Sequence, residues 1–246
     1  MERVKMISLV IPTYNERQNV SELAKRATIA LQKTDELFEL IFVDDNSPDG
    51  TADVIRELQA ERPWIRLIVR ENKRDLSTAV LTGWDAARGE ILGCMDADLQ
   101  HPPEVLPELF SRLRTGDADL VIASRAVQQG GVSEWKLHRR IISWVATLLA
   151  RLFLPKKATP VRDPMSGFFL LKRAVIANIE LRPTGYKILL EVLSRGVYAG
   201  AVEIPYTFQE RAHGGSKIGL VQVWRYLHHL LRLSKAKRHH HQSGNC

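Results

Sequence analysis

The stretch GEILGCMDADLQHPPE, residues 89–104, runs from an apolar segment into two aspartates one residue apart, then a glutamine and a pair of prolines. EILGCMD (90–96) reads as a buried strand, and Pro102 and Pro103 are placed to open a helix, where a missing N–H costs nothing. Val105, Leu106, Leu109, Phe110 and Leu113 then recur at helical spacing as the buried face of that helix. Strand, acidic turn and helix make a βα unit whose negative charge sits at the carboxyl end of the strand.

The unit recurs on both sides. ISLVIP (7–12) is a strand, followed by a helix with Val20, Leu23, Ala24, Ala27 and Leu31 on one stripe. FELIFVDD (38–45) is a second strand, and NSPDGT supplies the turn into the next helix. IRLIV (65–69), a helix through Ala79 to Ala87, and the strand DLVIAS (119–124) continue the pattern. This alternation predicts an α/β fold with a mixed, mostly parallel sheet flanked by helices. The second half changes character: an apolar-rich segment (135–154), a strand at GFFLLK (167–172), a helix around KILLEVLSRG, a strand at AVEIPYTF, and an amphipathic helix from about Leu220 to Leu233. There is no internal repeat and no low-complexity linker.

A chain of 246 residues, 45% hydrophobic, can bury a substantial single core. Its net charge of +7 points to a polyanionic partner: nucleic acid, anionic lipid or a phosphorylated ligand. Nucleic acid is disfavoured, because no basic stripe carries interleaved aromatics and the aromatic content is only 7%. Cys94 and Cys246 offer no disulfide framework, which fits a reducing, cytosolic setting. The N-terminus lacks the pattern of a secretory signal, and no run reaches the roughly 18 to 20 apolar residues needed to span a bilayer.

IISWVATLLARLFL (141–154), interrupted by Arg151, suits an in-plane interfacial helix or a buried one. Arg139, Arg140, Lys156 and Lys157 flank it, as basic groups flank helices that lie on anionic membranes. In the last helix the stripe of Leu220, Val223, Trp224, Leu227, Leu230 and Leu231 is expected to pack mostly on the core. His239, His240 and His241 read as part of a flexible end rather than a metal site.

Ligands of open α/β sheets bind beyond the carboxyl ends of the strands. Three strands deliver polar groups there: Tyr14, Asn15 and Glu16; Asp44 and Asp45; Asp96, Asp98 and Gln100. No G-x-G-x-x-G follows the first strand and no Walker lysine loop is present, which argues against a dinucleotide or P-loop site. If the segment stays extended, Asp96 and Asp98 point to the same side with Ala97 between them. Two hard oxygen ligands, with Gln100 as a third, suit Mg2+ or Mn2+ completed by substrate phosphates and water. The alternative is that Asp98 caps the following helix and Asp96 pairs with a lysine. Arg125, directly after a strand in IASR, and Arg211, in the glycine-rich QERAHGGSK, are expected near the same edge. Gly214 and Gly215 give the latter segment the composition of a closing loop.

IPTYNE, VDDNSPDGT, MDADLQHPPE, SRAV, DPMSGFF, GYKILLEV and RAHGGSK occur in this order. Together they resemble the polyprenyl-phosphate (dolichol-phosphate) mannosyltransferases, inverting family-two glycosyltransferases of GT-A fold, over residues 6–235. The resemblance implies transfer of mannose from GDP-mannose to a polyprenyl or dolichyl phosphate, giving a β-linked mannosyl phosphate at the cytoplasmic face of a membrane. It implies that Pro12, Tyr14, Glu16, Val43 and Asp45 hold the nucleoside, and that Asp96, Asp98 and Gln100, with Ala97 between them, hold the metal on the diphosphate. Arg125, Arg139, Lys187, Arg211 and Lys217 match basic positions around the donor and acceptor phosphates, with Ser143 on the acceptor side. One domain is then expected over 1–235, divided into a nucleotide-sugar half (1–125) and an acceptor half (126–235), with a disordered tail (236–246).

The chain departs from the resemblance in two places. Asp75 stands before Leu76 where many relatives have glycine, which bears on the backbone of that loop. Many relatives continue into transmembrane helices, so attachment here is expected to be peripheral or supplied by a partner. A sister activity with UDP-glucose or UDP-N-acetylglucosamine is the nearest alternative, and a noncatalytic lipid- or nucleotide-binding subunit is a further one.

Overall fold

ISLVIPT is buried at every position, which only a strand covered on both faces allows. In the computed structural model this is β1 (Ile7–Thr13), an interior strand of a seven-stranded sheet. The described residues are 6–71, 74–132, 137–155, 158, 160–183, 185–209, 226 and 228–233, with side chains in the fifth helix described from Val145 onward.

The other strands are β2 (Phe38–Asp44), β3 (Ile65–Val69), β4 (Ile91–Cys94), β5 (Leu120–Ser124), β6 (Gly131–Val132), β7 (Phe169–Lys172), β8 (Ala201–Pro205) and β9 (Thr207–Phe208). The helices are α1 (Val20–Gln32), α2 (Thr51–Glu61), α3 (Leu76–Ala86), α4 (Leu106–Arg114), α5 (Leu137–Phe153) and α6 (Ile188–Arg195). Strand order in the main sheet is β3-β2-β1-β4-β7-β5-β8, and β6 pairs with β9 in a small second sheet.

Side-chain alternation divides the core into two layers. Ile7, Leu9 and Ile11 of β1 pack with Leu23, Ala27 and Leu31 of α1 and with Leu109 and Phe110 of α4. Val10 faces the opposite layer, with Val80 and Trp84 of α3 and Leu189 and Val192 of α6. A side chain at Gly83 would meet Val10 at 2.4 Å, so glycine is what lets α3 lie on β1. Pro103 begins a short 3-10 turn (Pro103–Val105) that leads into α4, whose buried face is Leu106, Leu109, Phe110 and Leu113. The mostly parallel expectation holds, with one specific exception. β7 runs antiparallel to both β4 and β5, between them. That direction brings the segment just before β7 to the carboxyl ends of the parallel strands, where ligands of such sheets bind.

At the opposite end of the sheet, Glu39 is buried and accepts hydrogen bonds from Ser8 Oγ, Arg66 Nη1 and the Arg88 amide. Burial would raise its pKa, but these donors hold it below the ordinary carboxylate value. Among the described residues no helix is long and apolar enough to cross a membrane.

Candidate active site

β4 stops at Cys94, so Asp96 and Asp98 sit in the bend beyond it rather than on a continuing strand. Asp98 is buried and its Oδ1 accepts the Gln100 amide, which tightens the bend; Leu99 takes a left-handed φ of 61°. The two carboxylates still lie close enough for Asp98 to act strongly on Asp96. The Asp96 side chain keeps 29% of its surface open, yet its Oδ1 is closed off and has no hydrogen-bond partner. Loss of solvation, and then the charge of Asp98, push Asp96 up to about 7. A divalent cation would relieve both, since it supplies the missing partner and favours the ionised carboxylate.

The donor set fits a hard cation that takes its remaining ligands from substrate. Gln100 Nε2 donates to the Gln209 carbonyl, which leaves its amide oxygen as the group able to face an ion. Among the described residues there is no cluster of three or more His, Cys, Asp or Glu to form a complete protein cage. Such a site resembles those that bind Mg2+ or Mn2+ through one or two carboxylates and phosphate oxygens.

Two partly buried cations stand beside the acidic pair. Arg125 Nε and Nη2 donate to Asp163 Oδ2 and Oδ1, both at 2.8 Å, and its guanidinium lies 5.1 Å from the Phe208 ring centroid. Burial alone would lower the Arg125 pKa, but the Asp163 contacts raise it further. Lys187, at the start of α6, donates from Nζ to the Met165 carbonyl, and burial followed by the charge of Arg125 lowers its pKa. Both cations act electrostatically on Asp96.

The other sides belong to β1 and β2. Tyr14 lies under the Arg74 guanidinium at 4.6 Å, and Glu16 accepts from Asn19 Nδ2 while its charge also reaches Asp96. Pro12 and Val43 are buried register partners at the ends of β1 and β2, and Ala97 is buried beneath the acidic bend. Asp45 accepts from Arg70 Nε at 2.6 Å and from the Asp75 amide at 3.0 Å. Burial outweighs these donors and raises its pKa.

The structure therefore gathers Tyr14, Glu16, Asp45, Asp96, Asp98, Gln100, Arg125 and Lys187 at one edge. Arg139 and Ser143 fall in α5 but their side chains lie outside the described residues, as do Arg211 and Lys217 altogether. Several site residues were not singled out from the sequence. Asp163 orients Arg125. A side chain at Gly167 would meet Asp96 Oδ2 at 2.6 Å, so glycine makes room for that carboxylate. His101 is enclosed by Phe168, Tyr206 and Phe208, and burial drives its pKa down to about 3. The DPMSGFF signal was visible, but its place beside Asp96 depends on β7 running against its neighbours.

The profile of Glycosyl transferase family 2 matches residues 8–179. A dolichol-phosphate mannosyltransferase of Pyrococcus furiosus is 44% identical over 93% of this chain, which covers 64% of that relative's length. The Saccharomyces cerevisiae enzyme of the same name is 38% identical over 92% of this chain and 86% of its own. Among solved structures, mannosyl-3-phosphoglycerate synthase from Rubrobacter xylanophilus superposes with a TM-score of 0.69 at 19% identity, over 98% of this chain and 76% of that one. Glucosyl-3-phosphoglycerate synthase from Mycobacterium tuberculosis, with Mn2+, UDP-glucose and phosphoglyceric acid bound, gives 0.65 at 20% identity, over 94% and 79%. These two structures support the fold. The sequence matches assign the chain to glycosyl transferase family 2, among the dolichol-phosphate mannosyltransferases.

Proposed function

We propose that the protein transfers mannose from GDP-mannose to the phosphate of a polyprenyl (dolichyl) phosphate, with inversion, in a reaction that depends on Mg2+ or Mn2+. The observation that carries this reading is Asp96 beside Asp98 at one edge of the sheet, with the Asp96 Oδ1 lacking a hydrogen-bond partner and Lys187 and Arg125 acting on the same carboxylate. An acceptor phosphate oxygen attacks the anomeric carbon from the face opposite GDP. The bond from that carbon to the GDP oxygen breaks, and its electron pair leaves with GDP. A phosphate monoester has a second pKa near 6, so about nine tenths is dianionic at pH 7 and no general base is required.

The difficulty is repulsion. At ~5 Å and an effective dielectric of about 20, each pair of unit charges costs roughly 3 kcal/mol, so donor and acceptor cannot approach without cations. Asp96, Asp98 and Gln100 would hold the metal, which when bound neutralises the diphosphate and stabilises charge on departing GDP. Tyr14, Glu16 and Asp45 line the nucleoside side, with Pro12 and Val43 beneath it. Lys187 faces the diphosphate. Arg125, Arg139 and Ser143 serve the acceptor phosphate, and Arg211 and Lys217 complete the charge around the substrates.

We place the enzyme peripherally on the cytoplasmic face of a membrane, alone or with an anchoring partner. Val145, Leu148 and Leu152 support this, because they form one exposed apolar stripe on α5. Leu149, Ala150 and Phe153 pack against the core on the other side of the same helix.

The test is incubation of purified protein with radiolabelled GDP-mannose and a short polyprenyl phosphate, with and without chelator. Label should enter the lipid only with metal. Transfer at full rate after chelation would refute the cation's role, and transfer from UDP-glucose or UDP-N-acetylglucosamine in preference would reassign the donor.

A further inference from the structure

Asp75 occupies a position where a glycine would be unremarkable, yet its backbone is extended, with φ −157° and ψ 117°, and does not require one. Its groups are used on every side. Oδ1 accepts the Thr78 amide and caps α3, while Oδ2 accepts the Gly185 amide at 2.9 Å, 110 residues away. Its own amide donates to Asp45 Oδ2, and its carbonyl accepts from Arg70 Nη2. The Ser77 amide donates to the Gly185 carbonyl, so Gly185, at φ 86°, is gripped at both its N–H and its C=O by the first turn of α3. Two residues beyond Gly185 is Lys187. The residue before Asp75 is Arg74, which covers Tyr14.

We propose that Asp75 is a positioning residue: its carboxylate fixes the Gly185–Lys187 segment so that the lysine ammonium stands beside Asp96 and the donor diphosphate, while its amide holds Asp45 on the nucleoside side. The proposal rests on the donor reading above. Each carboxylate oxygen of Asp75 already accepts a backbone N–H that belongs to the fold. Removing the side chain releases the Gly185 N–H and leaves only the Ser77 amide on its carbonyl, so its left-handed backbone can reach other conformations and Lys187 can drift from the phosphates. Lys187 contributes through Coulomb attraction at short range, so a displacement of even an ångström or two weakens it.

The experiment is a double-mutant cycle of Asp75→Gly and Lys187→Met, read in two ways: GDP affinity by calorimetry with Mn2+ present, and kcat for mannosyl transfer. Asp75→Gly alone should lower both by about tenfold, and in the Lys187→Met background it should change either by less than about twofold. Equal losses in the two backgrounds would mean a merely structural role and overturn the proposal, as would wild-type values for Asp75→Gly. Should Asp75→Gly not fold, Asp75→Asn serves, since its side-chain oxygen retains the α3 cap while the Gly185 contact is lost. A wild-type protein that binds GDP and Mn2+ but transfers no mannose would sink the functional reading and leave the binding cycle to judge Asp75. A wild-type protein that binds no GDP would sink both.

Discussion

At the scale of single residues, the cation-binding role proposed for the acidic bend can be tested apart from folding. Asp98 offers Oδ1 to the Gln100 amide, and asparagine can keep that acceptor while losing the charge. Asp98→Asn is therefore expected to keep the wild-type circular dichroism and melting temperature while transfer falls by about a hundredfold or more. Unchanged turnover would remove Asp98 from the site. Gly167 tests the same pocket from behind, because a β-carbon there would press on the Asp96 carboxylate from 2.6 Å. We expect Gly167→Ala to weaken Mn2+ affinity in a titration by about tenfold, at a stability cost of roughly 1–3 kcal/mol from overpacking. Wild-type Mn2+ affinity would mean that Asp96 does not depend on that space.

At the scale of elements, the antiparallel insertion of β7 creates the site. It carries Asp163, Met165 and Gly167 to the ends of β4 and β5, where Asp163 clasps Arg125 and the Met165 carbonyl receives Lys187. Asp163 is buried, which alone would raise its pKa, but Arg125 holds it below the usual carboxylate range, as Arg66 and other donors hold Glu39. A lowered carboxylate pKa stabilises the fold above the unfolded value and loses that contribution as pH falls through the folded one. His101 adds to the same trend, since the unfolded chain takes up its proton near 6.5 and the folded chain only at about 3. Between about pH 4 and 6.5 this is opposed by Asp96 and Asp45, whose raised pKa values let the folded chain hold the extra proton, so denaturant unfolding should show its clear decline in stability only below about pH 4. Asp163→Asn should cost about 3 kcal/mol at neutral pH by leaving Arg125 without its charge partner, and should flatten the acid limb. A variant as stable as wild type would contradict the pairing.

At the scale of the molecule, one sheet joins the halves, since β7 pairs with β4 of the first half and β5 pairs with β7 and β8. We propose that residues 1–235 fold as one unit, and expect a single calorimetric transition; two separable transitions would count against it. The exposed stripe on α5 gives the whole molecule its proposed bearing toward a membrane. Leu152, 68% exposed, can be changed to glutamate at little cost to the core. Leu152→Glu should reduce flotation with anionic vesicles by about tenfold while leaving the melting temperature in place. Equal flotation would point the binding surface elsewhere.

What the sequence determined by itself was whatever depends on local order: strand and helix periods, the prolines that open α4, and acidic groups at strand ends. Those features follow from side-chain spacing and backbone chemistry within a few residues, so Asp96, Asp98 and Asp45 could be read directly. It did not reveal that the chain leaves β4 before Asp96, because hydrophobic pattern does not mark where a strand bends. Nor did it reveal the partners of those residues. Asp163 with Arg125, Gly167 against Asp96, and Asp75 with Gly185 join segments tens of residues apart, and they meet only because β7 inserts antiparallel and α3 lies close on β1. Strand order and direction are settled by how the two apolar layers pack together, a property of the folded whole that no local stretch encodes.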